Sequence, residues 1–147
     1  MGRLGVVAGP RGVIVIGYVR KKTRFPKTAR PSDPASRAAH KFLKEYFQRG
    51  RSKIRFRLDW TGITPFEKKV YKTLRLIPAG QTMTYAAVAR KIKKPGASRA
   101  VGSALHKNPF LIYVPCHRVL RSDGGLGGFG PGVWMKKWLL KHEKRRA

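Results

Sequence analysis

Apolar and polar positions change their rhythm along the chain, and the change divides it near residue 60. Leu4 to Ala8 and Val13 to Val19 are apolar runs rich in β-branched residues, joined by Gly9-Pro10-Arg11-Gly12, and they predict an antiparallel hairpin. Arg20 to Pro31 is a basic, proline-containing connection. From Pro34 to Gln48, residues Ala38, Phe42, Leu43, Tyr46 and Phe47 recur at helical spacing, with Gly50 as the stop. Ile54, Phe56 and Leu58 then alternate with Arg55 and Arg57, which predicts a half-buried strand.

Beyond residue 60 the period is helical. Thr64-Pro65-Phe66-Glu67 combines a capping threonine, proline at the first helical position and a glutamate three residues past the cap, so Glu67 has a structural role. The helix places Phe66, Val70, Leu74 and Ile77 on one face and ends at Pro78-Ala79-Gly80. A second helix is predicted from Thr84 to Ile92 and a third, capped by Ser98, to about His106, with Lys93-Lys94-Pro95-Gly96 as the turn between them. That is the outline of a helix-turn-helix. On the third helix Arg99, Gly102, Ser103 and His106 project to one side, and Val101 and Leu105 to the other. The small face suits either close helix packing or a backbone settled in a groove with one long cation reaching between bases. Asn108 to Pro115 reads as an apolar, strand-like approach to Cys116. A last helix from Gly132 to His142 carries Val133, Met135, Leu139 and Leu140 on one arc, which Glu143 shares. The pattern predicts an α/β chain of the α+β kind. A small sheet-and-helix lobe over residues 1–59 precedes a mainly helical domain over residues 60–147.

Charge narrows the partners. Lys and Arg total 34 against 6 Asp and Glu, a formal net charge of +28. Such an excess is self-repelling unless a polyanion neutralises it, and nucleic acid is the expected partner ahead of an acidic membrane surface. With 41% hydrophobic residues the chain has enough apolar material for a core and is not a disordered basic tail. One cysteine excludes an intrachain disulfide and leaves little for a structural zinc site, so a reduced, intracellular protein without metal is expected. No apolar run has membrane-spanning length, and the N-terminus lacks the features of a signal peptide or myristoylation site.

The single thiol lies in Pro115-Cys116-His117-Arg118-Val119. A lone cysteine is ordinarily an inert core residue, but His117, Arg118 and a nearby helix start would each favour its thiolate. Neighbouring residues on a helix do not face each other, so a proton would pass from Cys116 to His117 through a bridging water. Glu143, a carboxylate at the unfavourable pole of a helix, reads either as a frayed end paired with Lys144 or Arg145 or as the group that orients His117. The glycine-rich loop from Gly124 to Gly132 has no phosphate-loop pattern and reads as a wall beside a planar ligand.

Taken in order, Ile77-Pro78-Ala79-Gly80, Thr84-Tyr85, Ser98-Arg99-Ala100-Val101-Gly102, Asn108-Pro109, Pro115-Cys116-His117-Arg118-Val119 and Leu139-Leu140 before Glu143 resemble the O6-alkylguanine-DNA alkyltransferases. The resemblance covers roughly Thr64 to Glu143. It implies that Cys116 accepts the alkyl group from O6 of a flipped guanine in duplex DNA, once per molecule and without cofactor, with His117 and Glu143 as its relay. It implies that Tyr85 protonates the departing guanine and presses on the adjoining phosphate. Arg99 would intercalate from the minor groove, Gly102 and Ser103 would form the small DNA-facing surface, and Asn108 would tie the third helix to the cysteine loop. Val119, Phe129 and Gly130 would border the guanine. Many members carry Tyr and Ser at those last two places, which bears on pocket polarity and on the alkyl groups accepted. A monomer in the cytoplasm, or in the nucleus of a eukaryote, is expected, with no membrane partner. Outside this family, a thiol hydrolase or a non-catalytic helix-turn-helix protein would share parts of the pattern.

Overall fold

The computed structural model of the protein describes residues 3–20 and 33–146. The expected basic connection lies outside them from residue 21 onward, as does the extreme N-terminus. Strands β1 (Arg3–Gly9) and β2 (Gly12–Val19) form the expected antiparallel hairpin, with an irregularity between Val7 and Ala8. Helix α1 (Pro34–Arg49) begins where the Asp33 side chain accepts from Ala35 N at 2.9 Å. It ends at Gly50, which takes φ 71° and donates its N–H to Tyr46 O at 2.7 Å. A Cβ at Gly50 would lie 2.9 Å from Arg146 Cβ, so the stop glycine also admits the C-terminal segment.

Helix α2 (Pro65–Leu74) has both halves of its capping box, with Thr64 Oγ1 accepting from Glu67 N and Glu67 Oε2 accepting from Thr64 N. It stops at Leu74, a turn earlier than expected, and Ile77 is buried from the following turn. Strand β3 (Met83–Thr84) leads into α3 (Tyr85–Lys91), capped by Thr84, and pairs in parallel with β4 (Val119–Leu120). Helix α4 (Ser98–His106) follows the turn, but Ser98 does not cap it: Ala97 holds the cap position and no side chain bonds there. Its buried residues are Val101 and Ala104, while Leu105 is half-buried. Helix α5 (Val133–Lys144) buries Met135, Lys136, Leu139 and Glu143, whereas Val133 is exposed and Leu140 only half-buried.

Two predicted strands are absent. Ile54, Phe56 and Leu58 do alternate in exposure with Arg55 and Arg57, but the segment makes one bridge to β2, between Leu58 and Val13. The Phe56 ring stacks on Tyr113 with centroids 3.9 Å apart, and the Tyr113 hydroxyl serves both Phe56 N and Phe56 O at 3.3 Å. A side chain thereby takes the place of a ladder partner. Likewise the approach to Cys116 is a folded loop, with Ile112 at φ 71°, closed by Asn108, whose Nδ2 donates to Val114 O at 3.0 Å and whose Oδ1 accepts from Phe110 N at 2.9 Å. These contacts seat the cysteine on the core formed by Val70, Tyr71, Leu74, Val101, Phe110 and Val114.

Candidate active site and nucleic-acid interface

Cys116 opens a 3-10 turn, Cys116–Arg118, at the base of a cavity of about 900 Å³. Helix α4 borders it with Arg99, Gly102 and His106, the start of α3 with Tyr85, the loop before the turn with Asn108, and the glycine-rich loop with Phe129 and Gly130. Tyr18 and Arg20, at the end of β2, close another side, and Arg20 Nη2 donates to Gly130 O at 3.2 Å. Of the residues singled out from sequence for the DNA surface or the pocket, Ser103 and Val119 do not line this space. Ser103 is exposed on α4, and Val119 is fully buried with its carbonyl accepting from Lys136 Nζ at 2.7 Å.

Behind the cysteine, His117 Nε2 lies 2.7 Å from Glu143 Oε1, and neither residue is more than 1% exposed. Glu143 also takes Arg118 Nη2 at 2.9 Å on Oε1, Arg118 Nε at 3.0 Å on Oε2, Gly80 N at 3.1 Å on Oε2, and the Tyr46 hydroxyl at 2.6 Å on Oε1. Burial alone would raise the carboxyl's pKa, but the hydrogen bonds and charges of His117 and Arg118 outweigh it and hold the pKa well below the usual range. An ionised carboxylate only accepts, so His117 Nε2 carries the proton and Nδ1 keeps the free lone pair. Burial, with the charges of Arg118 and Lys136, lowers the imidazole's pKa against the pull of Glu143, which keeps the ring neutral. Nδ1 is buried and has no hydrogen-bond partner among the described residues, and so is available as a base.

The thiol itself differs from expectation. Burial raises the Cys116 pKa, and the Asn108 amide and Lys136 charge only partly offset this, so the resting group is a thiol rather than a thiolate. The backbone N–H groups of Cys116 and His117 at the start of the turn pull toward the thiolate as well, and do not reverse that. Tyr85 is half-buried and lines the cavity, whereas Val88 and Ala89 of its helix, and Ile92 just after it, are in the core. Burial and the neighbouring Cys116 raise its pKa, so its hydroxyl remains a donor. The hydroxyl reaches across to the glycine loop, where a Cβ on Gly127 would lie 2.8 Å from it.

Sequence reasoning missed Tyr46 and Lys136. Tyr46 reads as one more core aromatic of α1, and nothing local marks its hydroxyl as a partner of a carboxylate 97 residues away. Lys136 had a usable signal, since it falls seven residues before Glu143 on the same buried arc. Among the described residues no group of three or more His, Cys, Asp or Glu is placed to hold a metal ion, and no helix is long and apolar enough to cross a membrane.

Residues 65–145 match the family model described as 6-O-methylguanine DNA methyltransferase, DNA binding domain. The chain belongs to that family. A methylated-DNA–protein-cysteine methyltransferase of Methanosarcina acetivorans is 40% identical over 124 residues, 84% of this chain and 79% of the relative. One of Shigella flexneri is 50% identical over 101 residues, 69% of this chain. The match to the Shigella relative spans 59% of that protein's length. In three dimensions the similarity extends beyond the matched stretch: the crystal structure of Mycobacterium tuberculosis OGT in complex with DNA superposes with a TM-score of 0.86 at 37% identity, covering 98% of this chain and 88% of that one. The O6-methylguanine-DNA methyltransferase of Pyrococcus kodakaraensis strain KOD1 superposes at 0.69 with 29% identity over 93% of this chain and 89% of that one.

Proposed function

We propose that the protein repairs O6-alkylguanine in duplex DNA by transferring the alkyl group to Cys116, once per molecule. The observation that carries the reading is a buried thiol at the base of an open cavity, beside a neutral histidine whose far nitrogen is anchored on Glu143. Residues 60–147 would form the DNA-binding and transfer part and residues 1–59 a supporting lobe, acting as a monomer inside the cell wherever the DNA lies.

The flipped base enters between Phe129–Gly130 and the Tyr85 side of the cavity, and Arg99 fills the place it leaves in the stack. Gly102, with Ser103 beside it, lets α4 approach the minor groove, Asn108 holds the cysteine loop, and Val119 fixes that loop's floor. Because the resting thiol is protonated, His117 Nδ1 takes its proton through a water as the reaction begins, and Glu143 stabilises the imidazolium that results. Sulfur attacks the alkyl carbon, the bond from that carbon to O6 breaks, and the departing guanine receives a proton from Tyr85. Tyr85 recovers one from His117 by way of solvent. The net products are a thioether on Cys116 and an unmodified guanine, and no cofactor enters the balance.

Intact protein mass after incubation with a duplex bearing one O6-methylguanine tests this directly. One methyl per chain is expected, and none with Cys116→Ala. Repeated turnover, or an unchanged mass with full DNA binding, would remove the transferase reading in favour of a hydrolase or a silent DNA-binding protein.

A further inference from the structure

Each of the six carboxylates of this +28 chain has a partner other than the four cations of one surface stretch, which only Glu45 meets, at Ser52. Asp33 caps α1, Glu45 accepts from Ser52, Asp59 takes Arg11 and Thr61, Glu67 closes a capping box and meets Lys107, Asp123 pairs with Arg121, and Glu143 anchors His117. Between α1 and α2, by contrast, Arg51, Lys53, Arg55 and Arg57 are exposed and alternate with Ser52, Ile54, Phe56 and Leu58, which are half-buried or buried. Among the described residues, no ion pair involves any of the four. None of them lines the cavity.

Alternate residues of an extended chain are about 6.7 Å apart, so the row spans about 20 Å. That interval is close to twice the rise of about 3.4 Å per phosphate along one strand of a duplex. Its position is separate from the cavity, because Arg57 O accepts from Val13 N at the start of β2, whereas Tyr18 and Arg20 at the other end of that strand reach the cavity wall. Solvation of a half-buried segment requires polarity but not a single sign of charge, and four like charges in a row repel one another. Ile54 and Phe56 turn inward and pack against the core, leaving no aromatic to stack on single-stranded bases and no apolar side chain to enter a membrane.

We propose that Arg51, Lys53, Arg55 and Arg57 form a second DNA-contact surface, which grips the phosphate backbone of a duplex segment other than the one presented to α4. The proposal rests on the preceding reading for the first duplex. Its test holds the protein on a short immobilised duplex containing O6-methylguanine and measures capture of a second, labelled, undamaged duplex across a salt series. The wild type is expected to capture it with a log–log salt slope of about −3.6, the value for four phosphates. The fourfold variant Arg51→Ser, Lys53→Ser, Arg55→Ser, Arg57→Ser should lose capture by about tenfold or more at low salt, the range such phosphate contacts control. A control with equal charge loss at exposed sites on α2 and α5, Lys69→Ser, Lys72→Ser, Lys141→Ser and Lys144→Ser, should keep it. Capture that is absent in the wild type, unchanged in the row variant, or lost equally in the control overturns the proposal. Protein mass read from the same beads reports alkyl transfer separately, so row-dependent capture without methyl uptake would sink the transferase reading and leave the second surface standing.

Discussion

Tyr46→Phe removes one hydroxyl from a carboxylate that already accepts from a histidine, an arginine and a backbone amide. The carboxylate stays partnered, so the expected cost is that of one hydrogen bond to a charged group, about 2 kcal/mol, read as a lower urea midpoint at unchanged slope. The same cluster sets the acid limit of the fold. His117 is held neutral in the folded chain but protonates in the unfolded chain below about pH 6.5. Unfolding then takes up a proton, and stability falls as the pH drops through that value. Glu143 has its pKa depressed by folding, so the stability it lends is complete above about pH 4.3 and is lost as the pH falls toward its folded value. Urea unfolding at constant ionic strength should show two declines, one beginning near pH 6.5 and a steeper one below about 4.3. A flat profile between pH 7.5 and 5 would contradict a neutral His117.

Among the elements, the glycine-rich loop and the start of α3 depend on each other. Gly127 has φ +70°, and a Cβ there would meet the Tyr85 hydroxyl at 2.8 Å. Gly127→Ala therefore combines a strained backbone with displacement of the ring, and should slow methyl uptake by about tenfold, the rate equivalent of about 1.4 kcal/mol. DNA affinity should fall by less than the rate, because Arg99 and α4 are untouched and Tyr85 contributes one phosphate contact among several. Single-turnover rates beside binding isotherms separate the two effects. Elements whose cause is local were legible in the sequence: the Thr64–Glu67 box, the Gly50 end of α1 and the hairpin all arise from residues within a few positions of one another. Ile54 to Leu58 was not, because Tyr113, far along the chain, supplies the hydrogen bonds that a neighbouring strand would otherwise give. The site divides the same way. Cys116, His117 and Glu143 carry recognisable types at recognisable places, whereas the burial that keeps the thiol protonated is a property of packing that no motif spells out.

At the scale of the whole molecule, the proposed function makes the charge the term that sets how DNA is held. Phosphate contacts carry no sequence information, so affinity for damaged and undamaged duplexes should fall together as salt rises, with equal log–log slopes. Their ratio should stay constant to about twofold, since base contacts release few counterions. Fluorescence anisotropy on paired duplexes measures both. The stretch that matches the family model, 65–145, contains the thiol, the imidazole and the carboxylate, yet one of the donors on that carboxylate comes from α1 at Tyr46. The boundary of the matched stretch is therefore not the boundary of the hydrogen-bonded cluster. A chimera that joins residues 60–147 of this chain to a relative's leading segment keeps every donor on Glu143 only where that segment brings a hydroxyl to the place of Tyr46, and otherwise inherits a less stable cluster.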